Sequence, residues 1–140
     1  MMRDLYGQVI MDHYRHPRNR GELEAPDVER HLLNPLCGDE VTVYARLEGD
    51  RVADVRFTGR GCSISQASAS MMTERLRGKS REEAEVEISR FKRMMTGEEA
   101  FPEGDDLAAL KGVIQYPSRI RCATLAWEAF QQGLENNTSK

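Results

Sequence analysis

Three cysteines in this 140-residue chain lie at turns rather than inside apolar runs. Cys37 belongs to a Pro-Leu-Cys-Gly-Asp segment, Cys62 ends a Gly-Arg-Gly turn, and Cys122 lies near the start of a helix that Pro117 opens. A cysteine that only fills space behaves as a small hydrophobe and is found in apolar sequence. The placement therefore indicates thiols that bind metal or react.

The surroundings of these thiols favour their ionised form. Cys62 and Cys122 are expected near helix N-termini, which carry unsatisfied N–H groups and partial positive charge. Arg60, Arg119 and Arg121 add positive charge nearby, unless they are ordinary exposed charges. Such settings lower a thiol pKa from about 8.5 toward the thiolate, the form that binds soft metals and attacks sulfur.

Asp39 is the candidate fourth member of the site. It follows Cys37 by two residues, so both side chains point to the same side if the backbone is extended there. Three sulfurs and one carboxylate complete a tetrahedral shell suited to zinc or to iron–sulfur chemistry. The spacing does not by itself bring Cys122 to the other two, and three unrelated cysteines remain the alternative.

Two alternating segments, 41–47 and 52–57, predict the hairpin that positions the first two cysteines. A two-residue turn at 49–50 would mix apolar and polar side chains on each face. A three-residue loop at 48–50 predicts the pairs 41–57, 43–55 and 45–53 and buries one coherent face. We adopt the second register, which places Cys37 opposite Gly61 and beside Cys62.

The rest of the pattern predicts helices around this hairpin. Their expected spans are 3–15, 63–77, from 80 onward with a capping box, 105–110, and from 117 onward. A short strand is expected near 28–33, and residues 135–140 read as a frayed polar tail. The order of elements indicates an α+β fold, with residues 1–140 as a single domain whose helices cover one sheet face.

Composition excludes several classes of function. The net charge is -3 and no basic stripe with interleaved aromatics is present, which argues against nucleic-acid binding. The first residues carry charges through their apolar positions, so they are neither a signal peptide nor a membrane span. We therefore expect no membrane association and a cytoplasmic protein with reduced thiols. His13, His16 and His31 are interpreted as ordinary structural or surface residues.

Several segments resemble the motifs of the IscU/NifU-type iron–sulfur scaffold proteins. Residues 36–39 (Leu-Cys-Gly-Asp), 59–64 (Gly-Arg-Gly-Cys-Ser-Ile) and 120–122 (Ile-Arg-Cys) look like the three cysteine motifs of that family. Residues 5–21 and Gly78-Lys79-Ser80 resemble two further signatures, so the resemblance spans nearly the whole chain in order. It implies a small three-stranded antiparallel sheet packed against helices, with the cysteines converging at one end.

The resemblance also implies a ligand set, partners and two alternative activities. Cys37, Asp39, Cys62 and Cys122 match the family's ligand residues, and a cysteine desulfurase would deliver sulfur as a persulfide. In the SufU branch the site holds zinc and accepts sulfur from a SufS-type desulfurase, with Cys37 as the expected acceptor. In the IscU branch it assembles a transient [2Fe–2S] cluster for apo iron–sulfur proteins, with Cys122 as acceptor and the aspartate keeping the cluster labile.

Three departures from the IscU branch favour the SufU branch. Arg121 stands where that branch has histidine, and residues 115–119 (Gln-Tyr-Pro-Ser-Arg) replace its chaperone-recognition run. The segment from about 91 to 109 is interpreted as an insertion. A sulfurtransferase-like acceptor is thus favoured over a scaffold. Both of these functions are favoured over that of a classical enzyme. A purely structural zinc domain is the weakest alternative, because a chain of this length can build a core without a metal.

Overall fold

A computed structural model describes residues 2–36, 38–102 and 104–138, with the side chains of 2–6 and 138 outside the description. The described elements are one helix, then three consecutive strands of a single sheet, then four helical segments. In chain order they are α1 (Met2–Arg15), β1 (Val28–Asn34), β2 (Asp39–Glu48), β3 (Arg51–Arg60), α2 (Ser63–Leu76), α3 (Arg81–Met95), a 3₁₀ helix (Asp106–Gln115) and α4 (Pro117–Thr138).

The three strands form an antiparallel sheet in the order β1-β2-β3. Its inner face is fully buried at Val43, Ala45, Val55 and Phe57. Helix α4 packs against β1 and β2, and helix α2 packs against β3. The α+β class and the three-stranded sheet are thus confirmed.

The predicted register of the β2–β3 hairpin is wrong. Glu48 lies opposite Arg51, so the turn has only two residues, yet Val43 lies opposite Phe57 rather than opposite Val55. The register shifts beside Arg46 and Leu47, which pair with Asp54 and Val52 and leave Ala53 without a partner. This β-bulge supplies the extra residue that keeps one face apolar after a two-residue turn.

The helix ends follow the expected local chemistry. Helix α1 ends two residues before Pro17, in accordance with the restriction that proline places on its predecessor. Ser80 caps α3: its hydroxyl accepts the Glu83 N–H at 3.1 Å, and the Glu83 carboxylate accepts the Ser80 N–H at 2.9 Å. Hydrogen bonds from the Ser80 backbone N–H and from the Ser80 side chain to the Glu83 carboxylate hold the pKa of Glu83 below its ordinary value. The predicted capping box is confirmed.

Two helices extend beyond their predicted ends. The 3₁₀ helix continues to Gln115 rather than stopping near 110, and α4 continues to Thr138 where a frayed tail from 135 was expected. Asn137 explains the second difference, because its amide donates to the Asp27 carbonyl at 3.1 Å and accepts from Arg81 at 2.8 Å. Residues 139–140 lie outside the description. In the described part of the chain, no helix is long and apolar enough to cross a membrane.

Helices α2 and α4, which carry Cys62 and Cys122, are locked together in the core. The Trp127 indole N–H donates to the Ser68 hydroxyl at 3.0 Å, and that hydroxyl donates to the Ala123 carbonyl. The Trp127 ring stacks on Phe91 with 4.2 Å between ring centroids. Buried aromatic contacts of this kind, together with a satisfied hydroxyl, fix the relative position of helices.

Candidate metal centre

Asp39 is the first residue of β2 and is almost wholly buried, with 1% of its surface exposed. One carboxylate oxygen, Oδ1, accepts the backbone N–H of Cys62 at 2.9 Å. The other, Oδ2, lies 4.0 Å from the Cys62 sulfur. The carboxylate therefore ties the start of β2 to the start of α2 and leaves its second oxygen beside a thiol.

Gly61 makes this approach possible. Its φ of +151° is one that residues with a side chain rarely adopt, and a Cβ there would overlap the Asp39 carboxylate. The expectation that Cys37 lies opposite Gly61 is corrected here, since Asp39 occupies that place. The two-residue turn and the bulge at Ala53 together account for the difference, because each displaces the register by one residue.

Cys62 is the N-cap residue of α2, as its position in the sequence predicted. It is half-buried, and its side chain makes no capping hydrogen bond, so the sulfur faces Asp39 instead of the helix backbone. The Cys62 carbonyl accepts the Gln66 N–H at 3.2 Å, which begins the helical hydrogen bonding, and also accepts the Ser65 hydroxyl at 3.1 Å. The sulfur is thereby held at the positive end of the helix dipole.

Cys122 lies in the second turn of α4 and is fully buried. Its sulfur, the Cys62 sulfur and a carboxylate oxygen of Asp39 lie within 4.8 Å of one another. The Asn34 side-chain amide approaches the Cys122 sulfur to 3.9 Å. The structure thus brings together three of the four predicted ligands. The fourth, Cys37, lies outside the described residues.

The donor set fits a zinc or iron ion. Zinc binds sulfur at about 2.3 Å and carboxylate oxygen at about 2.0–2.2 Å, so tetrahedral donors lie roughly 3.5–3.8 Å apart. Donors already within 4.8 Å of one another need to move only slightly to reach that separation. Thiolates with a single carboxylate also match the preference of zinc and iron over magnesium or calcium.

The arginines near the cysteines lie on the surface. Arg60 has 81% of its side chain exposed and pairs with Glu40 at 3.3 Å. Arg119 and Arg121 are likewise exposed. Positive charge at the site therefore comes from the start of α2 more directly than from these side chains.

A second group of metal-binding residue types joins α1, α2 and the 3₁₀ helix. His13 is 1% exposed; its Nδ1 contacts the Ser70 hydroxyl at 2.8 Å and its Nε2 contacts Asp106 at 2.7 Å. Glu74 brings a carboxylate within 4.8 Å of both side chains. His13 is thus a structural clamp between distant segments, in keeping with its interpretation as structural. Asp106 and Ser70 carried no signal in the sequence.

Gly61→Ala is expected to weaken metal binding at least about tenfold, because the added methyl group displaces the Asp39 carboxylate. The strained backbone should also cost the metal-free protein about 1–3 kcal/mol of unfolding free energy. Competition with a chelator and chemical denaturation measure the two effects. Gly78→Ala is the matched control. The φ of Gly78 is +84°, but a Cβ added there would meet no neighbouring heavy atom within 4 Å. That variant should lose stability and keep its metal affinity; equal affinities for both variants would contradict the role of Gly61.

Comparison with known proteins gives one family. The family of NifU-like N-terminal domains matches residues 5–140. The chain is 48% identical over 132 residues to the zinc-dependent sulfurtransferase SufU of Bacillus subtilis, covering 93% of this chain and 89% of the relative. It is 38% identical over 137 residues to the iron–sulfur cluster assembly scaffold protein IscU of Streptococcus pyogenes, covering 96% and 86%.

The fold is also similar to those of solved structures. A proposed iron–sulfur cluster assembly scaffold protein of the SUF system from Fervidobacterium islandicum superimposes with a TM-score of 0.84. It is 35% identical, and the match covers 91% of this chain and 94% of that one. Sequence and fold therefore agree on the same set of relatives.

Proposed function

Because the chain belongs to the family of NifU-like N-terminal domains, we propose that it serves iron–sulfur cluster assembly as a zinc-bound acceptor of sulfane sulfur. The donor would be a cysteine desulfurase of the SufS type, and the compartment the reducing cytoplasm. The convergence of Asp39, Cys62 and Cys122 at one end of the sheet carries the proposal. The 48% identity to a zinc-dependent sulfurtransferase supports it.

Cys37, Asp39, Cys62 and Cys122 would hold the zinc ion. Zinc supplies one kind of chemistry here: it keeps cysteine ligands deprotonated at neutral pH. The protein supplies rigidity, since the helices that carry Cys62 and Cys122 are locked through Ser68 and Trp127. In the sequence, Cys37 lies between β1 and β2.

Cys37 is the proposed acceptor. Its thiolate attacks the terminal sulfur of the desulfurase persulfide; a new S–S bond forms while the S–S bond of the desulfurase breaks. The desulfurase cysteine leaves as a thiolate, so the transfer consumes no oxidant or reductant. Access argues against Cys122, because an attacking sulfur must reach the incoming group and Cys122 is fully buried.

A second function uses the same residues. The chain is also similar to proteins named as IscU scaffolds, which favours assembly of a labile [2Fe–2S] cluster as cargo for apo iron–sulfur proteins. In that case Cys122 would accept the sulfur. A purely structural zinc site has less support, since the core that Phe91 and Trp127 help to form consists of many apolar side chains other than the ligands.

Sulfur transfer and metal content on one preparation test the proposal. We expect about one zinc per chain, and after incubation with a SufS-type desulfurase and cysteine, peptide mass spectrometry should find one added sulfur atom on Cys37. The Cys37→Ser control should accept no sulfur. Sulfur on Cys122, with Cys37→Ser still accepting it, would contradict the proposal in favour of the scaffold.

A further inference from the structure

Asn34 lies next to two of the three described members of the metal centre, Asp39 and Cys122. It is the last residue of β1, lies opposite Asp39 in the sheet, and is 1% exposed. Its side-chain amide nitrogen lies 3.9 Å from the Cys122 sulfur. Buried amide groups are nearly always hydrogen-bonded, so the Cys122 sulfur is the candidate acceptor for this amide N–H.

The packing of α4 along β1 delivers the Cys122 sulfur to this amide. Arg30 donates to the Gln132 side chain at 3.0 Å, and Gly133 lies against Val28. The two elements thus run side by side, with Cys122 near the end of β1 that carries Asn34. The amide approaches the sulfur because of the fold and not through local sequence.

The side chain of Asn34 is not needed to close the loop that follows it. That loop is closed by a backbone bond, in which the Gly38 N–H donates to the Asn34 carbonyl at 2.9 Å. Strand pairing with Asp39 is likewise a backbone property. A residue of any type would provide both contacts, so the amide group itself points to the sulfur.

We propose that Asn34 is a positioning residue for the metal centre: its amide N–H donates to the Cys122 sulfur and aims that sulfur at Asp39 and Cys62. The inference rests on the proposed function, because it treats Cys122 as a ligand. An ionised sulfur accepts hydrogen bonds, and partners of this kind orient ligands and strengthen metal binding. A carboxylate in the same place would offer no N–H and would repel the thiolate.

Cadmium-113 NMR of the otherwise unmodified protein tests the hydrogen bond directly. A proton that bridges an amide nitrogen and a cadmium-bound sulfur couples to the cadmium nucleus. We expect a cadmium cross-peak to the Asn34 side-chain amide, next to those of the cysteine Hβ protons. Cysteine cross-peaks without the Asn34 peak would overturn this inference alone, and the absence of all of them would overturn it together with the metal site.

Asn34→Asp provides the second measurement, because it removes the N–H and preserves the shape. We expect cadmium affinity to fall about 10–100-fold, the usual effect of losing such a partner. Asn137→Asp is the matched control: the same change at the other end of α4, where the amide donates to the Asp27 carbonyl. Wild-type affinity in Asn34→Asp would overturn the inference. If the cadmium cross-peak to the Asn34 amide is present and Asn34→Asp binds cadmium more weakly, but the protein accepts no sulfur, only the acceptor function is contradicted.

Discussion

Cys122→Ser is expected to purify with background zinc instead of about one ion per chain. A serine hydroxyl does not ionise near neutral pH and is a much poorer ligand for zinc than a thiolate. Cys122 is fully buried, so neither water nor another side chain can readily replace the lost sulfur. We expect the affinity to fall by more than about 100-fold, beyond the effect of losing a residue that only orients a ligand.

Zinc content and competition with a chelator measure this loss, and the far-UV circular dichroism spectrum checks that the helices persist. The domain should stay folded because its core is built mainly from apolar side chains other than the thiols, unlike a zinc finger that unfolds without its ion. Thr124→Ser is a suitable control on the same helix and should bind zinc as the wild type does. A Cys122→Ser protein with one tightly held zinc would show that Cys122 is not a ligand.

The sequence predicts the local setting of Cys62 and Asp39 from signals within a few residues. Turn chemistry places Cys62 at the start of a helix, and alternation places Asp39 in the segment that enters a strand, which in the structure begins at Asp39 itself. The hairpin register fails for a reason that alternation cannot reveal. A bulge at Ala53 and a two-residue turn together bury nearly the same apolar residues as a three-residue loop without a bulge.

Contacts between distant segments could not be predicted in the same way. Asn34 and Cys122 are separated by 88 residues, and His13 is 57 residues from Ser70 and 93 from Asp106. No local sequence pattern at these residues predicts which distant residue each of them contacts. The family resemblance indicated the ligands because they form motifs, but it carried no information about Asn34. Tertiary packing of α4 on β1 decides that contact.

Asp39 has two tasks that substitutions can separate. Oδ1 accepts the Cys62 N–H, while Oδ2 lies nearest to the Cys62 sulfur. Asp39→Asn keeps an oxygen that accepts the N–H but loses the negative charge, whereas Asp39→Ala loses both. A neutral amide is a weak zinc ligand, so both variants should bind zinc at least about tenfold more weakly than the wild type.

The metal-free proteins should differ in stability. In Asp39→Ala the Cys62 N–H is left without its acceptor, which typically costs about 1–3 kcal/mol in a buried position. Asp39→Asn should therefore melt roughly 3–12 °C above Asp39→Ala, the shift that such a difference produces in a domain of this size. Calorimetry in the presence of a chelator measures it. Equal melting temperatures would show that the hydrogen bond to Cys62 does not hold α2 in place.

The paired variants of Asp27 show whether the effect on zinc belongs to the metal centre. Asp27 also accepts a backbone N–H, that of Leu47 at 2.7 Å, at the opposite end of the sheet. Asp27→Asn and Asp27→Ala should repeat the difference in stability on a smaller scale, because the site is exposed, and should leave zinc affinity unchanged. If zinc affinity followed stability in both pairs, Asp39 would act on the metal only through the fold. We expect zinc affinity to change in the Asp39 pair alone, since the Asp39 carboxylate lies beside the two sulfurs and the Asp27 carboxylate does not.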